Sequence, residues 1–232
     1  MNTFEKIVSM PIPGRTMKKP RTEGITMVID TRLGLSGALD LAETAGDYID
    51  YIKLGFGTSR LINRELLRKK IAIYRDHNID VYPGGTLLEV AIAQGVLDKF
   101  LNEAKELGFS AIEVCDGTIS LSNEQMSEAI KKACERGFRV IAEVGKKDMA
   151  KDLVGEAYAN GIKRCLEQGV LKVIIEAREA GKGIGIYDEK GEVKVDKLET
   201  ILREVDVKNL ICEAPNKNQQ VDLIQSFGSK VN

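Results

Sequence analysis

Short apolar runs alternate with longer amphipathic ones along most of this chain. Runs rich in Ile, Val and Tyr at Ile25–Asp30, Tyr48–Gly55, Ile79–Pro83, Ala111–Cys115, Arg139–Val144, Lys172–Glu176 and Asn209–Glu213 read as strands. Between them, apolar residues at helical spacing predict helices that include Arg64–His77, Val96–Leu107, Glu124–Arg136, Glu156–Gln168, Lys197–Glu204 and Asn218–Phe227. Ser122 and Gln125 have the spacing of a capping box at the start of one of these. Gly108, Gly137 and Gly169 each follow a helical run and precede the apolar residue that opens the next strand. Glycine suits the left-handed position that ends a helix and turns the chain back to the sheet.

A strand-plus-helix unit thus recurs roughly every thirty residues, the length of a βα repeat. Such repeats imply a parallel sheet covered by helices. Seven strands are visible, and an eighth begins at Ser229–Asn232, where the sequence stops. The pattern predicts a TIM (β/α)8-type barrel, an α/β fold, with its eighth strand and helix truncated or missing; an open doubly wound sheet is the alternative. The expected organisation is an N-terminal arm over residues 1–24 and a barrel domain over 25–232.

The bulk numbers narrow the function classes. Of 232 residues, 43% are hydrophobic and 30% charged, enough for one large core with a solvated surface. A formal charge of −1 gives no bulk attraction to nucleic acid or an anionic membrane, so neither is expected as a partner. An anionic substrate would need a local cluster of cations. No run is long and apolar enough for a membrane span, and the first 24 residues lack the apolar core of a secretory signal. Cys115, Cys134, Cys165 and Cys212 have no metal-finger spacing and read as free thiols in a reducing cytoplasm. His77 is the single histidine, which argues against a Ser-His-Asp hydrolase or a multi-histidine metal site.

In a parallel barrel the chemistry sits at the C-terminal ends of the strands. Strand one ends in Asp30, and Lys53 lies near the end of strand two. A glutamate recurs at the end of strands four to seven: Glu113, Glu143, Glu176 and Glu213. Four such carboxylates in register are too costly to bury without a use. Converging carboxylates with few histidines suit a hard divalent cation such as Mg²⁺, while lysines and Arg178 suit phosphate or carboxylate. The loops at 55–59 and 83–86, with Gly84 and Gly85, offer backbone N–H groups that could cradle an anion. The glycines at 181–185 mimic part of a dinucleotide fingerprint, but no helix follows in place, and Tyr187–Glu192 reads instead as a hairpin turn.

Several of these segments resemble signatures of the phosphosulfolactate synthase family. They are Asp47–Ser59, Val81–Leu87, Glu143–Lys147, Glu176–Glu179 and Glu213–Lys217, in that order along nearly the whole chain. The resemblance implies a TIM barrel, a Mg²⁺-dependent lyase in coenzyme M or sulfolactate biosynthesis, and small anionic substrates, phosphoenolpyruvate and sulfite. On that basis Mg²⁺ would be held by some of Glu143, Glu176 and Glu213, with Asp116 or Glu113 in reserve. Lys53, Arg178 and Lys217 would bind phosphate or sulfite, and Lys147 would deliver a proton to an enediolate. A cytoplasmic homo-oligomer is expected. Two alternatives stay open: a Schiff-base aldolase using Lys53 or Lys147, and a non-catalytic, stress-associated homologue of the same fold.

Overall fold

The computed structural model describes residues 4, 6–8, 14–55, 57–145, 155–178 and 180–232. Seven strands alternate with helices: β1 Met27–Ile29, β2 Tyr51–Leu54, β3 Asp80–Pro83, β4 Ala111–Val114, β5 Arg139–Val144, β6 Lys172–Ile175 and β7 Leu210–Cys212. The helices are α1 Leu35–Ala45, α2 Thr58–Leu61, α3 Arg64–Asp76, α4 Gly85–Ala93, α5 Leu97–Leu107, α6 Asn123–Glu135, α7 Gly155–Glu167, α8 Val195–Glu204 and α9 Lys217–Phe227. The strands form two sheets in chain order, β1-β2-β3 and β4-β5-β6-β7, with every pairing parallel.

The period of two along each strand sorts the side chains. Ile52, Leu54, Val81, Ile112, Val114, Val140, Val173 and Ile175 face outward and pack with the helices in one large core. Residues of the other parity meet inside: Tyr51, Tyr82, Ala111, Ile141, Ile174 and Ile211 form a second apolar cluster with Ile25. Since that cluster draws on both sheets, the sheets curve around one interior. At the seam between them, Ser110 N–H donates to Val81 O (3.1 Å) and Val81 N–H donates to Ser110 Oγ (3.1 Å).

Between β7 and β1 the expected eighth strand is a 3₁₀ turn at Gly228–Lys230 followed by an extended Val231 and by Asn232. Asn232 acts there as a splice. Its carbonyl accepts from Cys212 N–H, its Oδ1 accepts from Ile25 N–H, and its Nδ2 donates to Leu210 O. Beside this splice lies a cleft of about 920 Å³ walled by β1, β7 and α9.

The expected helix ends hold. Gly108, Gly137 and Gly169 have φ of 93°, 73° and 92°, and Ser122 with Gln125 forms the capping box on α6. The loop 187–193 is the expected hairpin, bridged between Tyr187 and Val193. Segment 14–24 covers the strand N-termini. Arg21, whose side chain is fully buried, pairs with Asp50 (Nε–Oδ1 2.9 Å) and donates to Asp47 O. Arg21→Leu leaves the Asp50 carboxylate, among the described residues, with Thr26 N–H, a 4.0 Å contact to Arg15 and the more distant charge of Lys19. The expected cost is about 3 kcal/mol, or roughly 6–12 °C in melting temperature for a domain of this size. A calorimetric shift of under a degree would show that the pair contributes nothing.

Candidate active site

The inward residues one layer above the apolar cluster are charged. Lys53 projects from β2, Glu113 from β4, Glu143 from β5, and Glu213 from just past β7. All four are buried. Lys53 Nζ lies 2.8 Å from Glu143 Oε2, 3.0 Å from Glu113 Oε2 and 3.2 Å from Glu213 Oε1. One ammonium thus faces three carboxylates from the opposite sheet. Glu213 Oε2 also accepts from Ala177 N–H.

A small cavity of about 20 Å³, room for one water-sized group, opens at this level. Seven residues singled out in the sequence line it: Lys53, Gly84, Gly85, Glu113, Glu176, Arg178 and Glu213; Thr86 completes the polar part of its wall. Glu176 is brought to the mouth but not to Lys53: its Oε1 accepts from Arg178 N–H at 2.6 Å. Arg178 has φ of 56°, a left-handed conformation uncommon for a residue with a side chain, and it also lines the cleft beside β1. Lys217 is exposed at the start of α9 and is not among the residues lining the cavity. Lys147, together with Lys146, lies outside the described residues.

Gly85 explains how α4 approaches so closely. A Cβ there would fall 2.5 Å from Cys115 Sγ and 2.7 Å from Glu113 Oε1. Without one, Gly85 N–H donates to Glu113 Oε1 at 2.8 Å, so the first turn of α4 supplies a backbone donor to the cluster.

The electrostatics follow from burial and counting. Burial alone would pull the Lys53 ammonium down, yet Glu113, Glu143 and Glu213 together hold it well above the ordinary lysine value. Burial pushes the Glu113 carboxyl up to about 7; Lys53 opposes this and Glu143 adds to it. Among the described residues three carboxylates meet one ammonium, an arrangement that suits a further proton or cation. Ligand atoms of Glu113, Cys115 and Glu143 lie within 4.8 Å of one another, close enough to share an ion.

Two residues near this site carry no signal in strand-end patterns. Cys115 continues β4 inward past Glu113, and the fully buried Glu89 on α4 accepts from its thiol. The trace available in the sequence is a single charge within the otherwise apolar helix GTLLEVAIA.

A folded-state value near 7 means Glu113 takes up a proton on folding above its unfolded value, roughly 4.3. Its contribution to stability therefore falls as pH rises between about 4.5 and 7. In EDTA, Glu113→Gln should flatten this part of the stability profile and melt higher than the parent at pH 8, roughly 2–4 °C for each kcal/mol recovered. Parallel profiles for the two proteins would place the proton elsewhere.

Comparison with known proteins places the chain in a family. The family model described as (2R)-phospho-3-sulfolactate synthase (ComA) matches residues 14–232. A phosphosulfolactate synthase of Methanocaldococcus jannaschii is 46% identical over 211 residues, covering 90% of this chain and 84% of that protein. One from Methanothermobacter thermautotrophicus is 38% identical over 234 residues, covering 100% and 89%. Among solved structures, phosphonopyruvate hydrolase superposes with a TM-score of 0.59 at 18% identity, covering 90% of this chain and 74% of that one, a likeness of fold.

Proposed function

The chain belongs to the (2R)-phospho-3-sulfolactate synthase family and is a lyase-type enzyme, and on that premise we propose that it adds sulfite to phosphoenolpyruvate to give (2R)-phospho-3-sulfolactate. The observation that carries this reading is the cluster of Lys53 with Glu113, Glu143 and Glu213, set beside the Gly84–Gly85 turn and Arg178. It supplies carboxylates in excess, one buried ammonium and an anion-facing backbone at a single mouth.

In this reading the sulfur lone pair of sulfite attacks the methylene carbon of phosphoenolpyruvate, and the π electrons move onto the carboxylate as an enediolate. Both reactants are anions and the charge accumulates at one end, so the site must place cations there beforehand. The carboxylates fit a hard divalent ion: Glu143 and Glu213, with Glu113, would hold Mg²⁺, and Glu176, at the end of the strand between β5 and β7, would join them. Bound there, Mg²⁺ supplies Lewis acidity at the substrate carboxylate. Lys53 keeps the carboxylates together and, once a second cation shares them, has its ammonium free to face substrate oxygen. Gly84 and Gly85 offer N–H groups at the start of α4 for the phosphate, and Arg178 offers a fork for phosphate or sulfite. Lys217 is a further anion ligand for a substrate approaching α9. Lys147, which follows β5 by three residues, is the proton donor to C2 of the enediolate and so sets the configuration.

Three outcomes test this. Sulfite and phosphoenolpyruvate should give a product that retains its phosphate, with Mg²⁺ or Mn²⁺ present and not in EDTA. Lys147→Ala should lower turnover roughly 10²–10⁴-fold while substrate binding persists, and Lys146→Ala should stay close to the parent. Glu213→Gln should raise the Mg²⁺ concentration needed for half-maximal rate. Full activity in EDTA, or reversed behaviour of the two lysine variants, would contradict the respective assignments.

A further inference from the structure

Glu89 is a fully buried carboxylate in the middle of α4 that the chemistry above does not use. Among the described residues, its hydrogen bonds come from donors that carry no full charge. Oε1 accepts from Cys115 Sγ at 3.0 Å and from Thr118 N–H at 3.1 Å, and Oε2 accepts from Ile119 N–H at 2.9 Å. Burying a carboxylate is costlier than burying a neutral acceptor. What the charge adds is strength in holding two successive backbone N–H groups and a thiol at fixed positions.

Those positions matter because of where α4 begins. Glu89 lies four residues beyond Gly85 and so shares its helix face. Gly85 N–H donates to Glu113 on β4, while Cys115, two residues beyond Glu113, donates to Glu89. Helix and strand are therefore bonded in both directions across one contact. The contact has no slack, since even a Cβ at Gly85 would sit 2.5 Å from Cys115 Sγ.

We propose that Glu89 is a positioning residue for the reaction: it sets the spacing between the Gly84–Thr86 turn, where the substrate anion lies, and the Glu113 end of β4. The inference rests on the reading above for the substrate's place. It acts through Cys115 and the loop that leaves β4, and it touches no reacting atom.

Glu89→Gln keeps the volume but turns an amide N–H₂ toward a backbone N–H. The expected result is a KM for phosphoenolpyruvate raised about 3–10-fold, the weight of about one hydrogen bond, with kcat within about twofold and the KM for sulfite unchanged. Hydrogen exchange at Thr118 or Ile119, whichever amide faces the new N–H₂, should speed up by about tenfold or more as its acceptor is lost. A lower melting temperature with both KM values unchanged would reduce Glu89 to a structural role and overturn the proposal, as would unchanged exchange at these two amides. If Glu89→Gln does not fold, Cys115→Ala removes one donor to the same oxygen and should raise the KM for phosphoenolpyruvate about twofold to threefold; an unchanged KM there overturns the proposal equally. Should the parent enzyme not convert sulfite and phosphoenolpyruvate, the reaction assignment fails by itself. Calorimetric binding of phosphoenolpyruvate and the exchange rates then judge Glu89.

Discussion

Everything at the mouth of this protein depends on one ammonium placed among three carboxylates. Glu113, Glu143 and Glu213 project inward from β4, β5 and the end of β7 in one sheet, and Lys53 reaches them from the other. Burying the carboxylates together without a cation would be prohibitive, and burying the ammonium without them would drive off its proton. The cluster therefore constrains how the two sheets face each other. Beneath it, Tyr51, Tyr82, Ile141, Ile174 and Ile211 fill the interior, and their apolar surroundings keep water from screening the charges above.

Close backbone contacts support that cluster. Gly85 lets α4 approach β4, and Gly145, with φ of 139°, passes where a Cβ would fall 2.5 Å from the Tyr158 hydroxyl. The hairpin after β6 braces the other side. Tyr187 donates its O–H to Glu213 O, and Gly185 passes so near Glu176 O that a Cβ would lie 2.0 Å away. Gln219, buried on α9, donates to Gly181 O and Gly191 O and so ties the approach to the hairpin and its turn to the start of that helix. A site of mutually repelling carboxylates keeps its shape only if the backbone around it is held this firmly.

Much of this was legible in the sequence because the relevant signals are local. Apolar runs ending in Glu mark β4, β5, β6 and β7, and the strand period puts Ile141 and Glu143, or Ile174 and Glu176, on the same side. Glycines after helices and the Ser122 cap mark boundaries to within a residue or two. What escaped notice has a physical reason in each case. Helix α1 starts at Gly34 without a side-chain cap, and α4 is so uniformly apolar that it shows little amphipathic period. Lys53 was expected to meet an anionic ligand, yet it meets carboxylates of the chain itself, because facing across a barrel is a tertiary property that no spacing encodes. Lys217 shares a motif with Glu213 but falls on the exposed first turn of α9, where the period has already changed from two to 3.6.

The proposed role of the carboxylates around Lys53 is to seat a divalent cation in contact with substrate. The most direct measurement is an anomalous-difference map from crystals grown with Mn²⁺ and phosphoenolpyruvate. The account predicts one strong peak about 2.0–2.2 Å from carboxylate oxygens of Glu143 and Glu213, with Lys53 Nζ drawn away from at least one of its present partners and a substrate oxygen on the metal. A peak confined to surface acidic residues, or an undisturbed Lys53 cluster with substrate bound elsewhere, would contradict it.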